Sequence, residues 1–194
     1  MKASILKKSL ISMIDSKIPV FVWGNPGVGK SSIIKQIAND KNMEFIDLRL
    51  SLLDPTDLRG IPFFDSANKS AIWAKPEFLP NSNSQAFGIL FLDEINSAPP
   101  TVQAAAYQLI LDRKIGEYTL PMNYAIVAAG NYESDRGVTY RMPTPLANRF
   151  VHLDFELDFE EWKSWAYESK IDTRIISFLS YKPQNLFTFD AKAK

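Results

Sequence analysis

Residues 24–31 read Gly-Asn-Pro-Gly-Val-Gly-Lys-Ser, a complete G-x-x-x-x-G-K-[ST] pattern. No other feature restricts the fold of this chain so tightly, because the pattern has a mechanism only where a strand enters it and a helix leaves it. Both flanks comply. Val20-Phe-Val-Trp23 is a short apolar run, and Ile33, Ile34, Ile37 and Ala38 recur at helical spacing over Ser31 to Ala38. Glycines at 24, 27 and 29 let the backbone curl until successive N–H groups point inward. The helix N-terminus adds unsatisfied donors and a partial positive charge. Gly24, Asn25, Pro26, Gly27, Val28, Gly29, Lys30, Ser31 and Ser32 are therefore the candidate phosphate cradle. Lys30 would bring an ammonium to the β and γ phosphates of a nucleotide, and the Ser31 hydroxyl would ligate Mg²⁺. The bland alternative is a glycine-rich turn that happens to contain Lys-Ser, and the matching flanks argue against it.

Such a loop calls for a metal-binding acid at the end of another strand. Gly88-Ile-Leu-Phe-Leu-Asp93-Glu94 supplies one, since its apolar run delivers Asp93 to the carboxyl end of a buried strand. Asp93 would hold Mg²⁺ through water. Glu94, one residue on, would act as general base toward the attacking water. Tyr124-Ala-Ile-Val-Ala-Ala129 is a second buried strand and runs into Gly130-Asn131. Asn131 would offer an uncharged amide donor to the γ-phosphate or to that water, although an Asn after a Gly is often only a turn residue.

The rest of the chain alternates strand and helix. Phe45 to Leu48 reads as a buried strand and Phe150 to Phe155 as a fifth. Val102, Ala105, Ala106 and Leu109 share a helix face, as do Ala3, Leu6, Leu10, Met13 and Ile14 over a predicted helix 3–15. The expected fold is an α/β three-layer sandwich on a five-stranded parallel sheet. Residues 51–80 are too long for a plain connection, and Phe63-Phe64 is expected to pair with Ala71-Ile72-Trp73 in a hairpin within 62–74. A second hairpin is expected over 113–121. After Phe155 the pattern becomes purely helical: Asp158 opens a capping box with Glu161 ahead of a stripe of Phe159, Trp162 and Ala166. Asp172 caps a further helix carrying Ile175, Ile176 and Leu179. This predicts a core over 1–156 and a partial helical lid over 157–194.

Composition removes other chemistries. The chain of 194 residues has no cysteine and one histidine, so thiolate nucleophiles, Cys-ligated metals and multi-His sites are excluded. Lys+Arg and Asp+Glu are both 22, which argues against a nucleic-acid glove. No apolar run approaches the roughly 20 residues needed to span a bilayer. A cytoplasmic, soluble protein without membrane contact is expected. Asp57-Leu-Arg-Gly60 matches the D-x-x-G of GTPases, but Asp93 already fills that role and no N-K-x-D follows. His152 is read as structural.

Phosphate loop, acidic strand end, strand-end asparagine and then Pro145-Leu-Ala-Asn-Arg149-Phe150 is an order that resembles the AAA+ ATPases. The stretches Asp54 to Pro62, Asp93 to Pro100 and Leu146 to Phe150 are similar to the MoxR and dynein-related branch. The resemblance covers about residues 3 to 180. It implies a P-loop NTPase sheet, a small helical lid after it, ATP and Mg²⁺ as ligands, and a homo-oligomeric ring of usually six subunits. It implies ATP hydrolysis coupled to remodelling or chaperoning of a protein client, with a von Willebrand factor A-domain protein as a candidate partner. Lys30 and Ser31 match Walker A, Asp93 and Glu94 match Walker B, Asn131 matches sensor 1, and Arg149 matches an arginine finger acting in trans. Arg136 and Arg141 are rival fingers, and a surface cation is the plain alternative for Arg149. Sensor 2 of the family would fall beyond residue 194 and Arg174 lies too early for it, so a shortened lid is expected. Two other functions remain in view: a nucleotide-gated assembly module with little hydrolysis, and a nucleic-acid motor or loader.

Overall fold

The computed structural model describes residues 1–132, 139–140 and 142–188. Helix α1 (Ala3–Asp15) leads into β1 (Val20–Trp23), α2 (Lys30–Asp40) and β2 (Glu44–Arg49). The segment that follows holds α3 (Pro55–Arg59) and two strands, β3 (Ile61–Asp65) and β4 (Ser70–Ala74). Then come β5 (Gly88–Asp93), α4 (Pro100–Asp112), the short β6 (Lys114–Ile115) and β7 (Tyr118–Thr119), and β8 (Tyr124–Gly130). The described chain closes with α5 (Thr144–Ala147), β9 (Val151–Asp154), α6 (Phe159–Glu168) and α7 (Thr173–Tyr181).

Five strands form one sheet in the order β2-β5-β8-β1-β9, every pair parallel. Parallel strands bury both faces, and the side chains divide with a period of two. Val20 and Val22 of β1, Ile89 and Phe91 of β5, and Val127 and Ala129 of β8 pack against Leu6, Leu10 and Ile14 of α1 and Ile34 and Ile37 of α2. Phe21, Leu90, Leu92, Ile126 and Ala128 turn to the other face and meet Val102, Ala105, Ala106 and Leu109 of α4. The expected three layers are thus present. The chain runs from β1 out to β2, returns through β5 and β8, and places β9 on the far side of β1. The strand order reverses at β1, and the crevice at such a reversal is where open α/β sheets bind ligands.

One strand differs from expectation. Phe45 to Leu48 is not a fully buried strand: in β2 Ile46 and Leu48 are buried while Glu44, Asp47 and Arg49 are exposed. β2 is an edge, and its buried Ile46 and Leu48 lie on the face shared with Leu58 of α3 and Val102 and Leu109 of α4, while Phe45 is only partly buried against the α2 side. β9 is the opposite edge, with Val151 and His152 exposed.

Both expected hairpins form. β3 pairs antiparallel with β4, Phe63 opposite Ile72 and Phe64 opposite Ala71, and β6 pairs with β7. The first stands clear of the core, with Phe63 58% and Phe64 74% exposed. Its base is fixed by α3, where Asp54 and Asp57 make a reciprocal capping box. The box expected at Asp158 forms only by half. Asp158 accepts the Glu161 N–H at 3.1 Å. The Glu161 carboxylate is instead taken by Ser4, whose N–H and hydroxyl donate at 2.8 and 2.6 Å. That contact joins α6 to the start of α1. Asp172 caps α7 by accepting the Arg174 N–H. Among the described residues no helix is long and apolar enough to cross a membrane.

Candidate functional site

Strand register brings the candidate residues to one end of the sheet. Trp23 lies opposite Gly130, and Arg49 lies opposite Asp93. Gly24, Glu94 and Asn131 each follow directly on a strand's carboxyl end and leave the sheet at the same edge. The loop between β1 and α2 curls because Gly27 and Gly29 take φ values of +78° and +97°. A Cβ built at either meets nothing within 4 Å, so backbone conformation, not space, demands glycine there. Gly24 differs: its Cβ would lie 3.2 Å from the Phe155 carbonyl and 3.3 Å from Val28 Cγ2.

Lys30, the first residue of α2, is 8% exposed. Its ammonium donates to the carbonyls of Gly24 and Asn25 at 2.6 and 3.0 Å and to Asn131 Oδ1 at 2.9 Å. Asn131 therefore turns its acceptor Oδ1 toward Lys30. Ser31 Oγ donates to Asp93 Oδ2 at 3.0 Å, and the Glu94 N–H donates to Asp93 Oδ1 at 2.9 Å. Asp93 is 7% exposed. On β2, partial burial first, and then the Asp93 charge, push the Asp47 carboxyl above its ordinary range. The strand ends thus form a negative corner facing the positive loop.

Glu94 sits in the left-handed region, φ +56° and ψ +32°. Its carboxylate accepts a hydrogen bond from Ser51 Oγ, and Arg49 Nε lies 3.9 Å from Oε1. Sequence reasoning missed Ser51 and Arg49. Both lie at the end of β2, and only the parallel pairing of β2 with β5 puts them beside Glu94.

Arg149 is not brought to this group. It is exposed, in the turn between α5 and β9, at the amino end of the sheet. Val151 pairs with Val20 and Asp154 with Trp23, so four residues of strand, roughly 10 Å, separate that turn from the loop. Arg136 and Arg141 lie outside the described residues. Arg174 is paired with Asp172 at 2.6 Å. His152 accepts the Trp23 indole N–H on Nδ1 at 2.9 Å, which requires Nε2 to carry the proton and to donate to the Ala147 carbonyl at 2.8 Å. It stacks on Trp23, in keeping with a structural role.

Ser31 and Asp93 offer hard oxygen donors side by side, and among the described residues no group of three or more acidic or His side chains forms a cage. This donor set suits Mg²⁺, which keeps several waters and is held by one or two protein oxygens plus phosphates.

A parallel sheet whose order reverses at a glycine loop and helix N-terminus, with an acid ending the strand two places away, is the P-loop NTPase fold. Residues 19–152 match the ATPase family associated with various cellular activities (AAA), and the chain belongs to that family. It is 28% identical over 152 residues to the chaperone MoxR1 of Mycobacterium tuberculosis, a match covering 76% of this chain and 38% of that protein. The replication factor C large subunit of Ignicoccus hospitalis is 30% identical over 107 residues, covering 55% of this chain and 20% of that one. A crystal structure of a Cytophaga hutchinsonii protein assigned as an ATPase shares the fold, with TM-score 0.61 and 22% identity over 87% of this chain and 51% of that chain. The chain therefore spans 38% of the length of its MoxR relative and 20% of that of the replication factor relative. The family match and the MoxR1 relative bear out the MoxR-like AAA+ resemblance.

Proposed function

We propose that this chain is the ATP-binding and ATP-hydrolysing module of a ring-forming, MoxR-like AAA+ protein that remodels or chaperones a protein client. The observation that carries the reading is the meeting of Lys30, Ser31, Asp93, Glu94 and Asn131 at the carboxyl end of one sheet. Gly24 to Ser32 wrap the phosphates, and all but Pro26 carry backbone N–H groups to offer them. Lys30 leaves the loop carbonyls for the β and γ oxygens, where an ammonium gains more from a triphosphate than from neutral acceptors. Ser31 and Asp93 would hold Mg²⁺, Asp93 through water, and the metal would supply neutralisation of phosphate charge. Glu94 leaves Ser51 and takes the proton of the attacking water, whose oxygen bonds to the γ-phosphorus as the bond from that phosphorus to the β–γ bridging oxygen breaks and ADP leaves. Asn131, released from Lys30, orients that water or the γ-phosphate. Arg149 stands too far from its own loop and serves a neighbouring subunit's nucleotide, where a trans arginine raises turnover by ~10³–10⁵-fold. Residues 1–156 form the nucleotide core and 157–194 the start of a helical lid. A homo-oligomeric ring, commonly of six subunits, a von Willebrand factor A-domain partner and a cytoplasmic setting complete the reading.

Phosphate release and retention of a fluorescent ATP analogue, measured on wild type and Glu94→Gln, test it. The variant should lose turnover and still bind nucleotide with Mg²⁺. Normal hydrolysis by the variant rejects Glu94 as base. Nucleotide binding without hydrolysis in the wild type points to the gated assembly module instead.

A further inference from the structure

Asn96 follows Glu94 by two residues, in the 3₁₀ turn Ile95–Ser97, and is 3% exposed. Its side chain crosses from the end of β5 to the end of β8 and donates Nδ2 to the Asn131 carbonyl at 2.7 Å. Its own carbonyl accepts the Tyr140 N–H at 2.6 Å. The amide has one workable orientation, because reversing it would set Oδ1 against the Asn131 carbonyl. Oδ1 itself is buried without a partner. It lies over Gly130, where a Cβ would come within 2.4 Å of it. An unsatisfied buried acceptor is destabilising, a cost that an apolar side chain of similar shape would avoid. Glu94 adds a second cost, since a non-glycine residue in the left-handed region persists only where its surroundings hold it. Two of the holding bonds are local: Glu94 N–H to Asp93 Oδ1 at 2.9 Å, and Ser97 N–H to the Glu94 carbonyl at 2.9 Å. The Glu94 carboxylate is tied toward β2 by Ser51, and the Asn96 side chain ties the turn on its other side to the end of β8.

We propose that Asn96 is a positioning residue that locks the turn carrying Glu94 to the strand end carrying Asn131, so that carboxylate and amide are set by one rigid unit. The proposal rests on the reading that Glu94 and Asn131 serve ATP hydrolysis. In this role Asn96 acts through Asn131 and the Glu94 turn, not on the nucleotide directly. Its removal should therefore spare ground-state binding and weaken only the transition-state arrangement.

The test uses the whole chain with Asn96→Asp, which loses the donor at constant size, and Asn96→Ala, which empties the site. Three quantities are read: affinity for Mg²⁺-ADP, affinity for Mg²⁺-ADP with aluminium fluoride as a transition-state mimic, and the NMR signals of the Asn131 side-chain NH₂. Affinity for ADP should stay within about twofold of wild type. Affinity for the fluoride complex should fall by about tenfold to a hundredfold, the range seen when an outer supporting residue is lost. The Asn131 NH₂ signals should shift or broaden in both variants. Equal loss of affinity for the two probes, or unshifted Asn131 signals in a folded variant, overturns the proposal. Failure of both variants to fold also overturns it, by assigning Asn96 to the core. If the wild type releases no phosphate, the hydrolysis reading fails, and the Asn131 signals still decide whether Asn96 holds that residue.

Discussion

Gly130→Ala adds one methyl group at the most crowded point of the site, and its cost follows from the neighbours. The new Cβ would fall 2.4 Å from Asn96 Oδ1, 2.7 Å from Phe21 Cζ and 2.9 Å from Asn96 Cγ. Neither neighbour has a free end to swing away. Phe21 is fully buried and packed against the rings of Trp23 and Phe150, 4.3 and 5.6 Å away between centroids. Asn96 is held through Asn131. Overpacking of a well-filled interior costs about 1–3 kcal/mol, and two immobile neighbours place this change in the upper half of that range. For a chain of this size each kcal/mol lowers Tm by roughly 2–4 °C, so a fall of about 4–12 °C is expected. Urea unfolding followed by circular dichroism should show a lower midpoint at unchanged slope. Gly27→Ala is the control, because its Cβ meets nothing and only the φ of +78° opposes it. It should cost about 1–2 kcal/mol. An unchanged midpoint for Gly130→Ala, or a larger fall for Gly27→Ala, would refute the packing argument.

Ser51→Ala removes the hydroxyl that holds the Glu94 carboxylate toward β2. A net hydrogen bond of about 0.5–1.5 kcal/mol corresponds to a rise in basal phosphate release of roughly two- to tenfold; a fall would mean that Ser51 holds Glu94 in its working position. On the acid side, Asp158 is held below the usual carboxylate range by the Lys2 hydrogen bond, Glu161 by the Ser4 hydroxyl and Asp172 by Arg174. Groups whose native pKa is depressed stabilise fully above their ordinary range and lose that contribution as pH falls through the lowered value. Stability should drop below about pH 4, and Asp158→Asn should flatten the drop in a urea series. On the alkaline side, burial pushes the Tyr107 phenol up to about 12. Its contribution is complete below the ordinary tyrosine range and is lost as pH rises from about 10. Phenolate absorbance should show at least one late-titrating tyrosine in the folded chain; a single class near the ordinary value would contradict this.

The residues whose function depends on local conformation were legible. A strand, a curled glycine loop and a helix lie within about twenty residues, so Gly24 to Ser31 could be located without any tertiary contact. Asp93 and Glu94 were readable because an apolar run says where a strand ends. Both hairpins followed from turn residues between β-prone pairs. What was hidden depends on lateral neighbours. Phe45 to Leu48 reads like a central strand because an apolar pattern does not say how many strands lie beside it. Ser51 gives no sign of Glu94, 43 positions away, until β2 pairs with β5. Glu161 matched a local capping pattern, yet its carboxylate went to Ser4, 157 positions back. Asn96 looked like an ordinary residue after an acidic pair, and only its burial and its reach to Asn131 distinguish it. The contact between Asn131 and Lys30 was equally invisible, since it depends on where the Lys30 ammonium comes to rest.

β9 and β1 run side by side over four aligned pairs. The glycine loop grows from one tip of this two-stranded bar and the Arg149 turn from the other. His152 bolts the bar lengthwise, gripping the Trp23 indole at one tip and the Ala147 carbonyl near the other. A stiff bar has no way to absorb a tilt in its middle, so whatever displaces the tip beside Lys30 must swing the tip that bears Arg149. In the ring proposed above, news of one chain's ligand would then arrive, a strand's length away, as a change in what that chain presents to its neighbour.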